Sequence, residues 1–591
     1  MIQTDDGRSI DRRAFVRGAA GAAAVAAGLG ASEALASEKS AAGEGSGASA
    51  SSDAGDAREG GAVWPGEPLD ASKLDITETF DCGLLICGLG AGGSVAVCEA
   101  AAQGMDVIAI EKNAAQGSIK SFICAVNSKP QLDAGVQIDA NEIAKELVRY
   151  ASGYANMRLI KTYLEESAGL VDWIDATFAD DGVACYAETD IGDGTHDNFK
   201  LWPVQVGYRI NYDEETQAKL DAIEDPQARK MASPGIAQFC IEHAQADGAD
   251  IKFDTQLVQL VQDASGKVTG AIAQNTDDGH YLQINASKGV LLATGGYEAD
   301  PDLLAYLNPD GALLGGVGMA QPGCVGDGIR AGIWAGGKKD QNATLMTFER
   351  AALPVDAEPG YPYQGTSCWI GDQPFLKVNT RGERFCDETS PYDWPLHAAT
   401  MEPGHKFCSI WDANYVESIK TFHTMGCSRI DPSPDQPDAE GLGFEALDAQ
   451  IEQAKQLNCV QQADTVEELA EKLGMEPDTL ARTVERYNEL AAAGVDDDFG
   501  KPAKDLIALD NPPFYGCFFA GHVLCTIDGL QINEDCQVIN ASTQEPIEGL
   551  YAVGNCSGSF YSVTYPELLW GNANGRTCTC ALHVVHELAG A

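Results

Sequence analysis

The stretch DCGLLICGLGAGG at residues 81–93 decides the fold of this 591-residue chain. It begins as a short apolar strand and ends in a glycine-rich turn, after which an Ala-rich helix extends to Gln103. A second apolar strand at residues 105–110 follows Gly104 and ends at Glu111. This strand–helix–strand unit carries the pattern G-x-G-x-x-G, which in this context is typical of dinucleotide-binding sites. We therefore predict an α/β fold with a Rossmann-like first unit.

Each residue type in this unit has a physical reason. Gly88 permits the tight turn, Gly90 lets backbone N–H groups approach a pyrophosphate, and Gly93 permits close packing of the helix on the strand. The helix N-terminus is positive and attracts phosphates, while Glu111 can accept hydrogen bonds from ribose hydroxyls. The nucleotide-contacting residues predicted here are Gly88, Gly90, Ala91, Gly92, Gly93, Glu111 and Lys112.

Size and charge limit the remaining possibilities. A chain of 591 residues exceeds what one hydrophobic core supports, so at least two structural domains are expected. The 39 basic and 88 acidic residues give a net charge of −49, which repels nucleic acid and anionic lipid and suits a basic electron-transfer partner. The 18 cysteines include no C-x-x-C pair and no zinc-type spacing with histidine, so no metal site is predicted.

The N-terminus predicts export. Asp11-Arg12-Arg13-Ala14-Phe15 precedes an Ala- and Gly-rich apolar run and the Ala34-Leu35-Ala36 cleavage pattern, which together resemble a twin-arginine signal peptide at residues 1–36. Residues 37–78 lack periodicity and are predicted to be a disordered linker. We expect an extracytoplasmic protein, in the periplasm or cell envelope, with no membrane span in the mature chain.

Three later segments specify the cofactor. KGVLLATGG (288–296) and GLYAVGN (549–555) each form a strand that leads into glycine, and GNANG (571–575) opens the last helix. In this order they resemble the flavoprotein superfamily of fumarate reductase, succinate dehydrogenase and 3-ketosteroid dehydrogenases, from about Thr79 to the C-terminus. The resemblance implies FAD, held non-covalently because no histidine stands where some members attach it.

The resemblance also implies the domain organisation. An FAD-binding domain would comprise residues 79–339 and 514–591, with an α+β capping domain, residues 340–513, inserted between the two parts. Within the cap, Thr465 with Glu468 forms a capping box, and Pro477 starts a helix. The further FAD-contacting residues that the resemblance implies are Gly117, Ser118, Thr294, Gly295, Gly296, Asp327, Gly554, Asn555, Gly571, Asn572 and Ala573.

The catalytic segments depart from the fumarate reductases. Tyr392 stands where those enzymes have an arginine proton donor, and Cys525 and Leu568 stand where they have a histidine and an arginine. Because the cationic clamp for a dicarboxylate is missing, we expect neither fumarate nor succinate as substrate. His522 lies three residues before the histidine position. It either lines the site or lies in a surface loop, and we expect the surface loop.

The ketosteroid dehydrogenases offer a closer pattern. ETSPY (388–392) and Thr564-Tyr565-Pro566 resemble their tyrosine segments, which implies that Tyr392 handles the proton and Tyr565 holds the substrate carbonyl. The similarity then breaks, because Glu567-Leu568-Leu569 replaces glycines. An unperturbed tyrosine, with a pKa of about 10, is a better acid than base, which favours reduction.

We therefore predict an FAD-dependent oxidoreductase that reduces an activated carbon–carbon double bond in an enone, arylacrylate or steroid-like acceptor. Trp369, Trp394, Phe560 and Tyr561 favour a large aromatic or polycyclic substrate. Electrons would come from a separate protein such as a membrane cytochrome, as in anaerobic respiration, because only one dinucleotide fingerprint is present. Two alternatives remain open: a dehydrogenase working in the oxidative direction, and a non-catalytic flavin electron carrier.

Overall fold

A computed structural model describes residues 64–590, apart from 192–194, 197–198, 224–227, 230–231, 319–322, 391 and 432–440. The predicted signal peptide and the predicted linker up to residue 63 lie outside the described residues. Within the described part, no helix combines the length and apolar character that a bilayer crossing requires.

Twenty strands and fifteen α-helices are found among the described residues. The strands are β1 (Ile76–Cys87), β2 (Val107–Ile110), β3 (Phe122–Cys124), β4 (Val183–Ala187), β5 (Thr195–His196), β6 (Phe199–Lys200), β7 (Gln205–Ile210), β8 (Asp250–Lys252), β9 (Thr255–Gln262), β10 (Val268–Asn275), β11 (Tyr281–Leu292), β12 (Gly315–Gly318), β13 (Leu345–Leu353), β14 (Thr366–Ser367), β15 (Leu376–Val378), β16 (Phe407–Asp412), β17 (Val460–Ala463), β18 (Phe514–Thr526), β19 (Gln537–Ile539) and β20 (Pro546–Ala552). The helices are α1 (Ala91–Ala102), α2 (Lys129–Asp133), α3 (Ala140–Tyr150), α4 (Met157–Thr177), α5 (Glu214–Asp221), α6 (Ile236–Ala246), α7 (Pro301–Leu307), α8 (Pro309–Leu314), α9 (Asp327–Trp334), α10 (Trp394–Ala399), α11 (Tyr415–Phe422), α12 (Phe444–Gln456), α13 (Val466–Leu473), α14 (Pro477–Ala493) and α15 (Asn572–Gly590).

The first sheet is built around the predicted strand–helix–strand unit. Its strands follow the order β19-β20-β11-β1-β2-β8; in addition β10 pairs with β11, and β9 pairs with β10. The central pairs β1–β2, β1–β11 and β11–β20 are parallel, and their strand ends are buried on both faces. Near-continuous apolar runs such as Leu84–Cys87 therefore suit a buried parallel sheet; α1 packs on β1 and β2, and α6 and α15 pack on α1. The α/β class predicted from the sequence is confirmed.

The tight turn after β1 requires glycine at two positions. Gly88 has φ of +93°, a left-handed conformation that costs little only without a β-carbon. A β-carbon on Gly93 would lie 1.8 Å from the carbonyl oxygen of Gly88, so α1 packs on the turn too closely for any side chain. The sequence prediction for these two glycines agrees with this geometry.

The second sheet has strand order β14-β13-β18-β16-β15, with β12 and β17 also paired to β18. Apolar side chains cover both faces: α13 and α14 contribute to one cluster, and α11 and α12 to the other. Half of the predicted capping box is present, since the Thr465 hydroxyl accepts from the Glu468 N–H. Pro477 is the first residue of α14.

Two predicted boundaries differ from the structure. The linker was expected to extend to residue 78, but β1 begins at Ile76, and Trp64 already packs against the main core. The cap was expected to end at Pro513, but β18, which follows it, is the central strand of the second sheet. Likewise β12, which precedes residue 340 in the sequence, pairs with β18 and so belongs to the second sheet. A strand's sheet partner depends on long-range pairing, which local sequence patterns do not encode.

Candidate active site

The fingerprint loop forms an open cradle at the start of α1. Gly90 caps the helix with φ of −73° and ψ of −161°, and a β-carbon placed there would meet no described atom within 4 Å. Gly117 comes close behind the loop: its N–H donates to the Leu89 carbonyl at 2.8 Å. Backbone N–H groups at a helix N-terminus beside open space can hold a phosphate.

Glu111 and Lys112 lie beside this loop but already have partners. One oxygen of Glu111 accepts from the Leu89 N–H at 2.8 Å, and the other accepts from the Asn113 N–H at 2.9 Å. Lys112 forms an ion pair with Asp327 at 2.6 Å. Glu111 therefore holds the loop in shape, and it keeps lone pairs with which to accept from a ribose.

The predicted glycines after β11 serve packing. Gly295 has φ of +78°, and a β-carbon on Gly296 would lie 2.1 Å from the Thr526 hydroxyl oxygen. The Thr294 hydroxyl accepts from the Gly328 N–H at 3.1 Å. This strand end and the start of α9, which carries Asp327, are thereby fixed together.

The start of α15 carries an unusual buried amide. Asn572 is fully buried, yet neither its side-chain oxygen nor its side-chain nitrogen has a hydrogen-bond partner among the described residues. It follows Gly571, whose φ is +77°. A buried amide without partners costs free energy, so its presence at a helix N-terminus indicates a bound group with both donors and acceptors. Gly554 and Asn555 lie nearby, and Arg576 donates to the Gly554 carbonyl at 2.5 Å.

Tyr392 and Tyr565 are brought together across the molecule. Their rings stack with centroids 6.4 Å apart and planes inclined by 15°, and both side chains are buried. Phe348 of β13 packs edge-on against Tyr392 at 4.8 Å. Two tyrosines separated by 173 positions in the sequence (565 − 392) therefore share one apolar site.

The hydroxyl groups of this pair are held by backbone donors. The Tyr565 oxygen accepts from the Ala573 N–H of α15 at 3.0 Å, and the Tyr392 oxygen accepts from the Cys427 N–H at 3.4 Å. An accepting hydroxyl retains its own proton for donation. Burial raises the pKa of both tyrosines, with Cys427 and Glu567 adding to the effect at Tyr392. Both groups are therefore neutral acids at physiological pH.

The positions that lack the expected cations are apolar. Cys525 and Leu568 are both buried. Arg350 is a buried cation near Tyr392, but it is paired with Asp372 at 2.6 Å and lies over the rings of Phe348 and Trp369.

The surface position expected for His522 is wrong. This residue lies within β18 and is buried, and desolvation lowers its pKa to about 3. A neutral imidazole adds no charge to the site. An apolar strand that begins well before the histidine and continues past it was the available signal.

A family model described as FAD binding domain matches residues 83–567. The chain belongs to this family of flavoproteins. The vinyl phenol reductase of Lactiplantibacillus plantarum is 28% identical over 501 residues, covering 83% of this chain and 93% of that protein. A fumarate reductase (cytochrome) of Shewanella frigidimarina is 26% identical over 495 residues, covering 83% and 74%.

A solved structure, 3-ketosteroid Δ1-dehydrogenase from Sterolibacterium denitrificans in complex with 1,4-androstadiene-3,17-dione, superposes with a TM-score of 0.64 at 19% identity. The match covers 86% of this chain and 99% of that one. At this identity the likeness supports the fold. The predicted superfamily is confirmed, and the flavoprotein is an FAD-dependent oxidoreductase that acts on carbon–carbon double bonds.

The residues of this flavoprotein fit FAD on two independent observations. The open cradle at Gly90 suits the pyrophosphate, and the unpartnered amide of Asn572 suits the polar edge of the flavin. Ser118, predicted beside them, is exposed next to Gly117. Most of the residues predicted to contact FAD follow four strands of the first sheet, β1, β2, β11 and β20, and the others include Asp327 at the start of α9 and residues 571–573 at the start of α15.

Sequence reasoning missed several residues of the candidate active site. Phe348 and Cys427 contact Tyr392, and Trp570 lies against Gly426, where an added β-carbon would sit 2.6 Å from its ring. Cys427 and Phe348 carry no local signal of this role. Of the aromatic residues predicted near the substrate, Tyr561 lies 5.4 Å from Tyr565, whereas Trp394 packs on Tyr150 and Phe199.

Proposed function

We propose that this flavoprotein reduces a carbon–carbon double bond conjugated to a carbonyl or aromatic group, with Tyr392 as the proton donor and Tyr565 as the partner of the substrate's polar group. The observation that carries the proposal is the stacked, buried pair of tyrosines, with Tyr565 anchored to the first turn of α15. Both belong to the segments that resemble ketosteroid dehydrogenases.

The chemistry divides between the cofactor and the chain. FAD, when bound in its reduced state, supplies a hydride to the β-carbon of the alkene. Tyr565 accepts from the Ala573 N–H, so its O–H can donate a hydrogen bond to the carbonyl oxygen as negative charge develops there, while keeping its own proton. Tyr392 then donates its proton to the α-carbon. The raised pKa of both tyrosines supports these roles, because each hydroxyl remains protonated until the substrate carries charge.

The walls of the site favour an aromatic or polycyclic acceptor. Phe348, Tyr561 and Trp570 are buried around the tyrosine pair, and Cys525 and Leu568 replace the cations that a dicarboxylate would need. An arylacrylate, vinyl phenol or steroid-like enone matches this surface better than fumarate does. The similarity to a vinyl phenol reductase is consistent with this substrate class.

We extend the proposal to the setting of the enzyme. The twin-arginine-type N-terminus supports export of the folded protein with non-covalently bound FAD. The net charge of −49 suits docking of a basic electron-transfer protein such as a membrane cytochrome. In that setting the reaction would serve anaerobic respiration, with the alkene as terminal electron acceptor.

The test is anaerobic reoxidation of the reduced flavin by a panel of enones, arylacrylates, vinyl phenols, steroids and fumarate. We expect rapid reoxidation by one of the aromatic or polycyclic classes, and a fall of about 10²–10⁴-fold in that rate for Tyr392→Phe at unchanged FAD content. Full turnover by Tyr392→Phe would contradict the proton-donor role. Reduction of the flavin by a saturated ketosteroid, without reoxidation by any alkene, would instead support the oxidative direction.

A further inference from the structure

Two buried carboxylates connect the segments that carry the catalytic tyrosines. Asp393, next to Tyr392, accepts from the Thr564 hydroxyl at 2.5 Å. In the opposite direction, Glu567 accepts from the Tyr392 backbone N–H at 3.2 Å. The backbone N–H of Tyr565 also favours the ionised form of Asp393, lowering its pKa. Each tyrosine segment thus supplies a carboxylate to the other.

We propose that Asp393, Thr564 and Glu567 form a reciprocal clamp, a set of positioning residues that holds Tyr392 and Tyr565 in register for the reaction. The inference rests on the proposed function, because the clamp affects the reaction only if Tyr392 and Tyr565 take part in it. None of the three residues needs to touch the substrate. They act through the backbone and through the ring positions of the two tyrosines.

Backbone strain explains why such a clamp is needed. Tyr392 has φ of +28° and Val563, just before Thr564, has φ of +67°; neither is a glycine. A left-handed conformation is costly for bulky and β-branched residues and persists only where surrounding contacts impose it. The bonds from Tyr392 to Glu567 and from Thr564 to Asp393 lie beside these two strained residues. Without them, each loop would relax toward an ordinary conformation and the ring pair would separate.

The free-energy cost of burying the carboxylates of Asp393 and Glu567 also supports a positioning role. Asp393 and Glu567 are 1% and 3% exposed. Desolvation raises the pKa of Asp393 to about 6, so the ionised form is held at a cost to stability. Two apolar residues in their place would stabilise the fold at least as well as the two carboxylates do. The carboxylates are therefore better explained by the geometry they impose on the tyrosine pair than by a contribution to stability.

The clamp also accounts for a feature of the sequence that the proposed reaction leaves unexplained. Glu567 stands where the ketosteroid-dehydrogenase pattern continues with glycines. Glycine has no side chain with which to hold Tyr392. In this chain the substitution supplies a contact across 175 positions of sequence.

The central experiment compares Thr564→Val, Thr564→Ser and Glu567→Gln in the FAD-loaded enzyme. Thr564→Val keeps the shape and removes the hydroxyl, so we expect kcat to fall about 10–100-fold while KM and FAD content change less than twofold, because misplacing a reacting group by about 1 Å has that effect. Thr564→Ser restores the hydroxyl and should recover most of the rate. Glu567→Gln weakens the acceptor and should lower kcat in the same way.

A matched control and a double variant make the result decisive. Thr483→Val removes a hydroxyl that donates to the Gly382 carbonyl in the cap, and it should leave kcat unchanged. In a Tyr392→Phe background, Thr564→Val should cost little more, because residues that act as a unit are not additive. An equal loss in both backgrounds, or a Thr564→Ser variant as slow as Thr564→Val, would overturn the clamp. Failure of the proposed function is seen separately, as full turnover by Tyr392→Phe alone.

Discussion

Replacing Gly90 with alanine separates cofactor binding from folding. In the structure a β-carbon at this position meets no described atom within 4 Å, and its φ of −73° is accessible to alanine. Alanine makes the unfolded chain less flexible, which raises the free energy of unfolding by about 0.4–1 kcal/mol. It is also a poorer N-cap than glycine, which lowers that free energy by a similar amount. The stability of the apoprotein should therefore change by less than about 0.5 kcal/mol. The methyl group, however, would occupy the space through which a pyrophosphate approaches the backbone.

The expected loss of affinity follows from the contact that is blocked. A hydrogen bond from a backbone N–H to a charged phosphate contributes about 1.5–3 kcal/mol, which corresponds to a Kd for FAD raised about 10–100-fold. The assay titrates apoprotein with FAD by the quenching of flavin fluorescence, and urea unfolding of the same apoprotein measures stability. Wild-type affinity in Gly90→Ala would refute the assignment of this loop as the pyrophosphate cradle.

Two other glycines provide the comparison. Gly235 also caps a helix, α6, with extended φ of −131° and no described atom within 4 Å of an added β-carbon. Gly235→Ala should therefore match Gly90→Ala in stability while retaining FAD affinity. Gly93→Ala should destabilise the apoprotein itself by at least about 1–3 kcal/mol, because its β-carbon would lie 1.8 Å from the Gly88 oxygen.

Two more predictions concern the active site. The folded pKa of His522 is about 3, below the ordinary 6.5, so the folded state binds fewer protons and stability falls as pH drops below about 6.5. At pH 5 this lowers the free energy of unfolding by about 2 kcal/mol. Urea unfolding at pH 7 and pH 5 should show that His522→Gln reduces the acid-induced loss of stability by that amount. An unchanged pH dependence in the variant would contradict a buried neutral imidazole. Tyr565→Phe should lower kcat/KM at least about tenfold without releasing FAD, and wild-type kcat/KM would exclude Tyr565 as a partner of the carbonyl.

The first sheet could be predicted from sequence because its signals are local. Residues 81–111 contain an apolar strand, a turn that only glycine can form, and a helix whose start and end are marked, so the whole unit is specified within 31 positions. The hairpin between β10 and β11 has an equally local signal in the turn residues Asp277-Asp278-Gly279. The extent of the cap has no such local signal, because β18 pairs with strands from both sides of the boundary predicted at residue 340.

For the same reason, the sequence predicted the two tyrosines of the candidate site but not the residues that hold them. Tyr392 and Tyr565 were identified by resemblance, and the structure brings them into one stack. Glu567 appeared in the sequence only as a break in a pattern. Its bond to the Tyr392 N–H depends on how two distant loops meet, which no spacing rule encodes.

The tyrosine pair also bears on the direction of the reaction. A general base must lose its proton before the substrate reacts, and burial makes this harder for Tyr392 by raising its pKa further above 10. Lys120 and Arg350 are near Cys427, but they are not among the groups that shift the pKa of Tyr392 most, which after burial are Cys427 and the carboxylate of Glu567. A carboxylate beside a tyrosine keeps the hydroxyl protonated before the substrate reacts, so the residue is available as a proton donor to the α-carbon and little phenolate is present to act as a base. In the clamp proposed above, Glu567 would therefore keep Tyr392 protonated, as the reductive direction requires, as well as hold its geometry.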